Sequence, residues 1–156
     1  MVKTNAMRLM EQAGLLIRST EYAYDEQDLN GMHAAEAIGM PPEQVFKTLV
    51  ARGDKQGFLV FCIPVCCVLD LKKAARAAGD KKVELIPMKD LLQVTGYIRG
   101  GCSPIGMKKP YPIYTDETAE LYDEIAVSAG VRGQQMILPP LGLTEYAKIT
   151  LCDLTE

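Results

Sequence analysis

Residues 45–65 read VFKTLVARGDKQGFLVFCIPV, two β-rich runs around a turn-forming centre. Val45–Ala51 and Phe58–Val65 have strand length and β-branched or aromatic content, and RGDKQG between them supplies Gly and Asp for a reversal. The pair therefore reads as an antiparallel hairpin. Alternation along the first run puts Val45, Lys47 and Leu49 on one face and Phe46, Thr48 and Val50 on the other. A lysine flanked by apolar residues in a strand either snorkels at a sheet edge or points into a cavity. In a cavity its ammonium can grip a phosphate or a carbonyl oxygen.

Working outward, Thr4 opens a helical pattern with Ala6, Leu9, Met10 and Ala13, which Gly14 closes. Ile17–Tyr24 has strand character, an acidic loop follows, and a short helix over HAAEAIGM stops at Pro41-Pro42. On the other side, Asp70 is placed to cap a helix over LKKAARAAG, with Gly79 as its stop. Val83–Ile86 reads as a short strand and Pro87–Leu92 as a helical turn. Tyr97–Gly106 (YIRGGCSPIG) reads as a strand entering a tight loop. Short strands are predicted at Tyr111–Tyr114, Glu124–Ser128 and Gln135–Leu138, with SAGVRG as a turn between the last two. PPLGLTEYA is a turn and helix, and KITLCDL a final strand. The mixture predicts one α/β (mixed α+β) domain over 1–156, with a twisted, largely antiparallel barrel-like sheet and peripheral helices.

Of the 156 residues 48% are hydrophobic and 24% charged, enough to bury a core and keep a charged surface. The longest apolar run, Phe58–Val65, is far short of a membrane span. The charged, amphipathic MVKTNAMRLMEQAG is not the pattern of an export signal. Five cysteines (62, 66, 67, 102 and 152) form no spaced framework, and with a single histidine no metal site is expected. A reduced, cytoplasmic setting fits, with no membrane and no cofactor. Residues 71–109 carry nine Lys or Arg against Asp80, Glu84 and Asp90, a local +6, so the whole chain's −3 leaves −9 on the remainder. Such asymmetry lets one face meet a polyanion, although a solvated helix face gives the same count.

Two further stretches can carry chemistry. Gly100-Gly101-Cys102-Ser103-Pro104-Ile105-Gly106 allows close backbone approach and offers N–H donors, with Ser103 adding a hydroxyl. Ser128-Ala129-Gly130-Val131-Arg132-Gly133 is a second polar loop after an apolar strand. A Cys102–His33 hydrolase is an alternative, but no spacing rule joins that pair. GGCSPIG also lacks the G-x-S-x-G elbow of serine hydrolases.

In order along the chain, VFKTLV, the strand ending IPV, DLKKAARAAGDKKVEL, TGYIRGGCSPIGMKK and VSAGVRG resemble the YbaK/EbsC family of aminoacyl-tRNA deacylases, from about Thr4 to Leu154. Within it, the pattern is most similar to the bacterial Cys-tRNA(Pro) deacylases. The resemblance implies the fold of the editing domain of prolyl-tRNA synthetases and hydrolysis of the ester joining a wrong amino acid to a tRNA's terminal adenosine. It makes Lys47 the essential lysine and Gly101, with Gly100, the backbone near the reacting carbonyl. Substrate-binding positions are then Tyr22, Thr48, Gly100, Cys102, Ser103, Ser128 and Gly130. The substrate's own thiol is expected to attack the ester, which accounts for the missing nucleophile–base pair. Lys72, Lys73, Lys81, Lys82, Lys108 and Lys109 become candidate contacts to the tRNA acceptor end, with prolyl-tRNA synthetase as a partner. Two positions depart from the Cys-specific pattern. Gly31 stands where those proteins have phenylalanine, and Gln135 where they have an acidic residue. Cysteine, alanine and serine therefore stay open as the edited amino acid, as does a non-catalytic module that binds tRNA ends or a synthetase.

Overall fold

The computed structural model describes residues 2–156. The hairpin is the centre of the molecule: β2 (Phe46–Gly53) pairs antiparallel with β3 (Gly57–Pro64), in a register that sets Lys47 opposite Ile63. Strand β1 (Arg18–Glu21) precedes them, and β4 (Val83–Leu85), β5 (Ile113–Asp116), β6 (Ile125–Ser128), β7 (Gln134–Leu138) and β8 (Thr150–Cys152) follow. Five helices surround them: α1 (Asn5–Gln12), α2 (Gly31–Ile38), α3 (Leu71–Ala78), α4 (Leu91–Thr95) and α5 (Pro140–Ala147).

The strands form two sheets, ordered β4-β2-β3-β5-β8 and β1-β7-β6. A single parallel bridge, Val45 to Ala126, links them. The α+β class is as expected, and the pairing is largely antiparallel. The barrel-like sheet is realised as two sheets joined at one seam, without closure. The β3–β5 and β5–β8 pairs are parallel. The predicted strand at the start of Tyr97–Gly106 does not form. Gly100 and Gly106 adopt φ +85° and +82°, which a ladder excludes, and the Tyr97 hydroxyl closes the loop by donating to the Ile105 carbonyl.

Strand β3 is buried on both faces, which explains its unbroken apolar reading. Leu59, Phe61 and Ile63 pack with Ala74, Ala75 and Ala78 of α3, whereas Val60 and Cys62 join the larger core of α1, β6 and β7. Helix α3 forms as its sequence requires. The Asp70 carboxylate accepts from the N–H groups of Lys72 and Lys73, and Gly79 ends it at φ +69°. On β2 the row facing α3 runs Ala51, Leu49, Lys47, and the helix's cover runs out before the lysine.

Asp80 fastens the hairpin tip to the α3–β4 loop. Its carboxylate accepts from the N–H groups of Lys55, Gln56 and Lys81. Desolvation pushes the Asp80 carboxyl up, and backbone donors from Gln56, Lys55, Lys81 and Lys82 outweigh it, leaving it below the usual carboxylate range. A depressed carboxyl stabilises above its unfolded value and stops doing so as pH falls through the folded one. Asp80→Asn should therefore unfold at lower temperature at pH 7, and the gap to wild type should shrink below about pH 4. Thermal melts across pH 3–7 check this.

Candidate active site

Lys47, at the end of its row, lines a cavity of about 360 Å³ at the seam of the two sheets. Tyr22, Thr48, Gly100, Cys102 and Ser128 line it too, five of the seven expected substrate positions. Among the described residues Lys47 forms no ion pair. Its charge is thus available to a ligand, and a wall of low-polarity residues makes a charge count for more than in water.

Each neighbour is held by its own element. Tyr22 leaves β1 with its N–H donated to the Gly133 carbonyl at 2.9 Å. Ser128, at the end of β6, accepts from the Gly130 N–H at 3.1 Å. Thr48 meets Cys62 at 3.7 Å. The Gly100 loop is pinned from both sides. A Cβ on Gly100 would touch Leu29 at 3.0 Å, and one on Gly101 would meet the backbone of Val131 and Arg132 at 3.1–3.2 Å. The two glycine-bearing loops are therefore packed backbone to backbone. The Gly101 N–H is committed to the Ile98 carbonyl at 3.0 Å, whereas the N–H groups of Gly100 and Cys102 have no partner among the described residues. Those two N–H groups are the unpartnered backbone donors of this loop among the described residues.

Gly130 and Ser103 lie elsewhere. Gly130 packs on the Tyr97 ring and faces a second cavity beside α1. Ser103 is wholly buried and accepts from the Ile105 N–H, holding its own turn. The lysines of 71–109 do not form one patch. Lys73 is tied to Asp153 and to the Thr155 carbonyl, and Lys82 to Glu84. Lys108 and Lys109 line a separate cavity with Arg52, and Lys72 adjoins the Lys47 side. Arg99, one of the nine basic residues of 71–109, lines the Lys47 cavity, which nothing in its sequence context signals.

Gly31 and Gln135 both line the cavity. A Cβ at Gly31 would fall 2.5 Å from Val65 Cγ1 and 2.8 Å from its Cβ, so Val65 occupies the room a larger residue would need. Gln135 is 6% exposed and its Oε1 has no hydrogen-bond partner among the described residues. It stands opposite Ser128 on one side and Thr20 on the other. A buried amide oxygen without a partner is uncommon in a folded chain.

Cys102 is a poor nucleophile here. Burial pushes its thiol up to about 12, the Cys62 thiol adds to this, and Thr95 offsets it only in part. His33 lies on a neighbouring small pocket with Asp28, 4.0 Å from its carboxylate. At pH 7–8 the thiol stays protonated, so a Cys102→Ala variant should keep the wild-type kcat within about threefold and form no acyl-enzyme. Rapid-quench mass spectrometry checks both. The same raised thiol binds its proton more tightly folded than unfolded. Its stabilisation is complete below the unfolded value near 8.5 and is lost as pH climbs toward the folded one.

A model of the aminoacyl-tRNA editing domain matches residues 32–146. A protein of Enterococcus faecalis, assigned as the Cys-tRNA(Pro)/Cys-tRNA(Cys) deacylase EbsC, is 50% identical over 153 residues, covering 95% of this chain and 93% of its own. A crystal structure of a protein assigned as a trans-editing enzyme for prolyl-tRNA synthetase superposes with a TM-score of 0.83 at 27% identity, over 100% of this chain and 99% of that one. A hypothetical protein of known structure shares the fold at a TM-score of 0.86 and 20% identity, over 96% of this chain and 97% of its own.

Proposed function

This chain belongs to the aminoacyl-tRNA editing domain family, and on that footing we propose that it is a trans-editing deacylase whose substrate is Cys-tRNA(Pro). The observation that carries the reading is one cavity uniting two backbone donors with a lysine that, among the described residues, has no ion pair and no nucleophile–base pair beside it. Such a site positions an ester and stabilises charge rather than attacking it.

In this reading the aminoacyl ester enters the seam with its carbonyl oxygen toward the N–H groups of Gly100 and Cys102. Lys47 holds the sugar-phosphate end and offsets negative charge as the tetrahedral intermediate forms. The substrate's thiol loses its proton and its sulfur bonds to the carbonyl carbon. The C–O ester bond then breaks, and the leaving tRNA oxygen takes up a proton. Water opens the resulting thiolactone to cysteine, so the net reaction is ester plus water giving amino acid and tRNA. Gln135, which lines the same cavity, is the residue that accepts from the substrate's amino group. Prolyl-tRNA synthetase is the proposed partner, supported by the assignment of the structural relative. The cytoplasm is the proposed location, and no described helix is long and apolar enough to cross a membrane.

Parallel assays with Cys-, Ala- and Ser-tRNA(Pro) test it. Release of cysteine at least about tenfold faster than of the other two is expected, since only cysteine brings a thiol. Release of alanine or serine at equal or greater rate would reassign the specificity, in line with Gly31 and Gln135, and make water the attacking group.

A further inference from the structure

A cavity of about 360 Å³ holds an aminoacylated nucleoside at most, so the strand behind the terminal adenosine has to leave across a shared wall. Two neighbouring cavities share lining with it. One, beside Tyr22, Leu29 and Gly100, has about 10 Å³ and carries Asp28. The other shares Lys47 and Leu49, has about 660 Å³, and continues over Val68, Leu71, Lys72 and Leu85. Size sends the strand the second way, since the first cavity, lined also by His33 and Arg132, is too small for a nucleotide.

The floor of this second cavity is apolar and uncovered: Val68 is 60%, Leu85 49% and Leu71 41% exposed. Exposed apolar groups clustered beside a binding pocket mark a recognition face. Lys72 forms no ion pair among the described residues. Two carboxylates share this lining, Asp70, which accepts from the Lys72 and Lys73 N–H groups as the cap of α3, and Glu156. Lys47 and Lys72 balance the two carboxylates of the lining, so the case for a nucleic-acid strand rests on the cavity's size and its continuity with the Lys47 cavity.

We propose that this shelf is the subsite for the unpaired nucleotides preceding the terminal adenosine, with base faces on Val68, Leu71 and Leu85 and phosphates at Lys72. The assignment rests on the deacylase reading. Single strands are commonly held by apolar or aromatic platforms under the bases and cations along the backbone, and here the platform is three aliphatic side chains.

The test compares Val68→Asp and Leu71→Asp with wild type on two substrates, full-length aminoacyl-tRNA and the same amino acid esterified to adenosine alone. On the tRNA, KM should rise about tenfold with kcat unchanged. On the short ester both constants should stay as in wild type. Equal losses on both substrates, or none on either, would overturn the shelf. So would a loss seen only when prolyl-tRNA synthetase is present, which would make this face a protein dock. Affinity for uncharged tRNA, measured alongside, keeps the result independent of turnover. Weakening of about tenfold in the variants supports the shelf, and equal affinity refutes it. Failure of wild type to release amino acid from either substrate is the distinct result that removes the deacylase reading instead.

Discussion

Lys47→Ala is expected to slow deacylation by about a hundredfold or more while leaving the fold intact. The lysine stands at the end of a β2 row beyond the cover of α3 and faces a cavity rather than packed side chains, so its removal leaves no core void. What disappears is a positive charge in a partly enclosed site, where removal of one preorganised electrostatic group typically costs 10²–10³ in rate. Lys47→Arg separates charge from shape. A guanidinium keeps the charge but not the compact ammonium geometry, so only partial rescue is expected. Melting temperatures of all three proteins, measured beside the rates, should agree within about two degrees. A Lys47→Ala protein that is well folded and fully active would show that the cavity is not the reaction site.

Gly101→Ala should be nearly as severe for a different reason. The added methyl would press on the backbone of Val131 and Arg132 at 3.1–3.2 Å, tighter than ordinary carbon contacts. No flexible side chain is there to yield, so the two loops must part. The Gly100 and Cys102 N–H groups then leave their positions, and displacements approaching an ångström cost up to about a hundredfold. A fall in kcat of tenfold to a hundredfold is expected, with KM for tRNA changed by less than about threefold, because the shelf beside Lys72 is untouched. A loss confined to KM would place Gly101 in tRNA binding instead.

The parts of the molecule legible in the sequence are those governed by local rules. The hairpin follows from alternation on either side of RGDKQG, and α3 from the Asp70 cap and the Gly79 stop. Lys47 stood out because a charge inside an apolar strand is costly unless it has a purpose. The Tyr97–Gly106 stretch misled because aromatic and β-branched residues at its start suggested a ladder, whereas the left-handed Gly100 and Gly106 required a compact loop. The parallel β3–β5 and β5–β8 pairs depend on contacts far apart in the chain, which periodicity does not register. Counting lysines over 71–109 could not say that they face different cavities, or that Lys73 and Lys82 already have carboxylate partners. The Val65 methyl filling the room beside Gly31 and the unpaired Gln135 oxygen are likewise properties of packing alone.

The most direct measurement is hydrolysis of purified Cys-tRNA(Pro) by the wild-type chain, with binding of the same tRNA followed in parallel. The account predicts multiple turnovers releasing free cysteine and intact tRNA. Binding of Cys-tRNA(Pro) with no release of the amino acid would contradict it and leave a module that holds tRNA ends without cutting the ester.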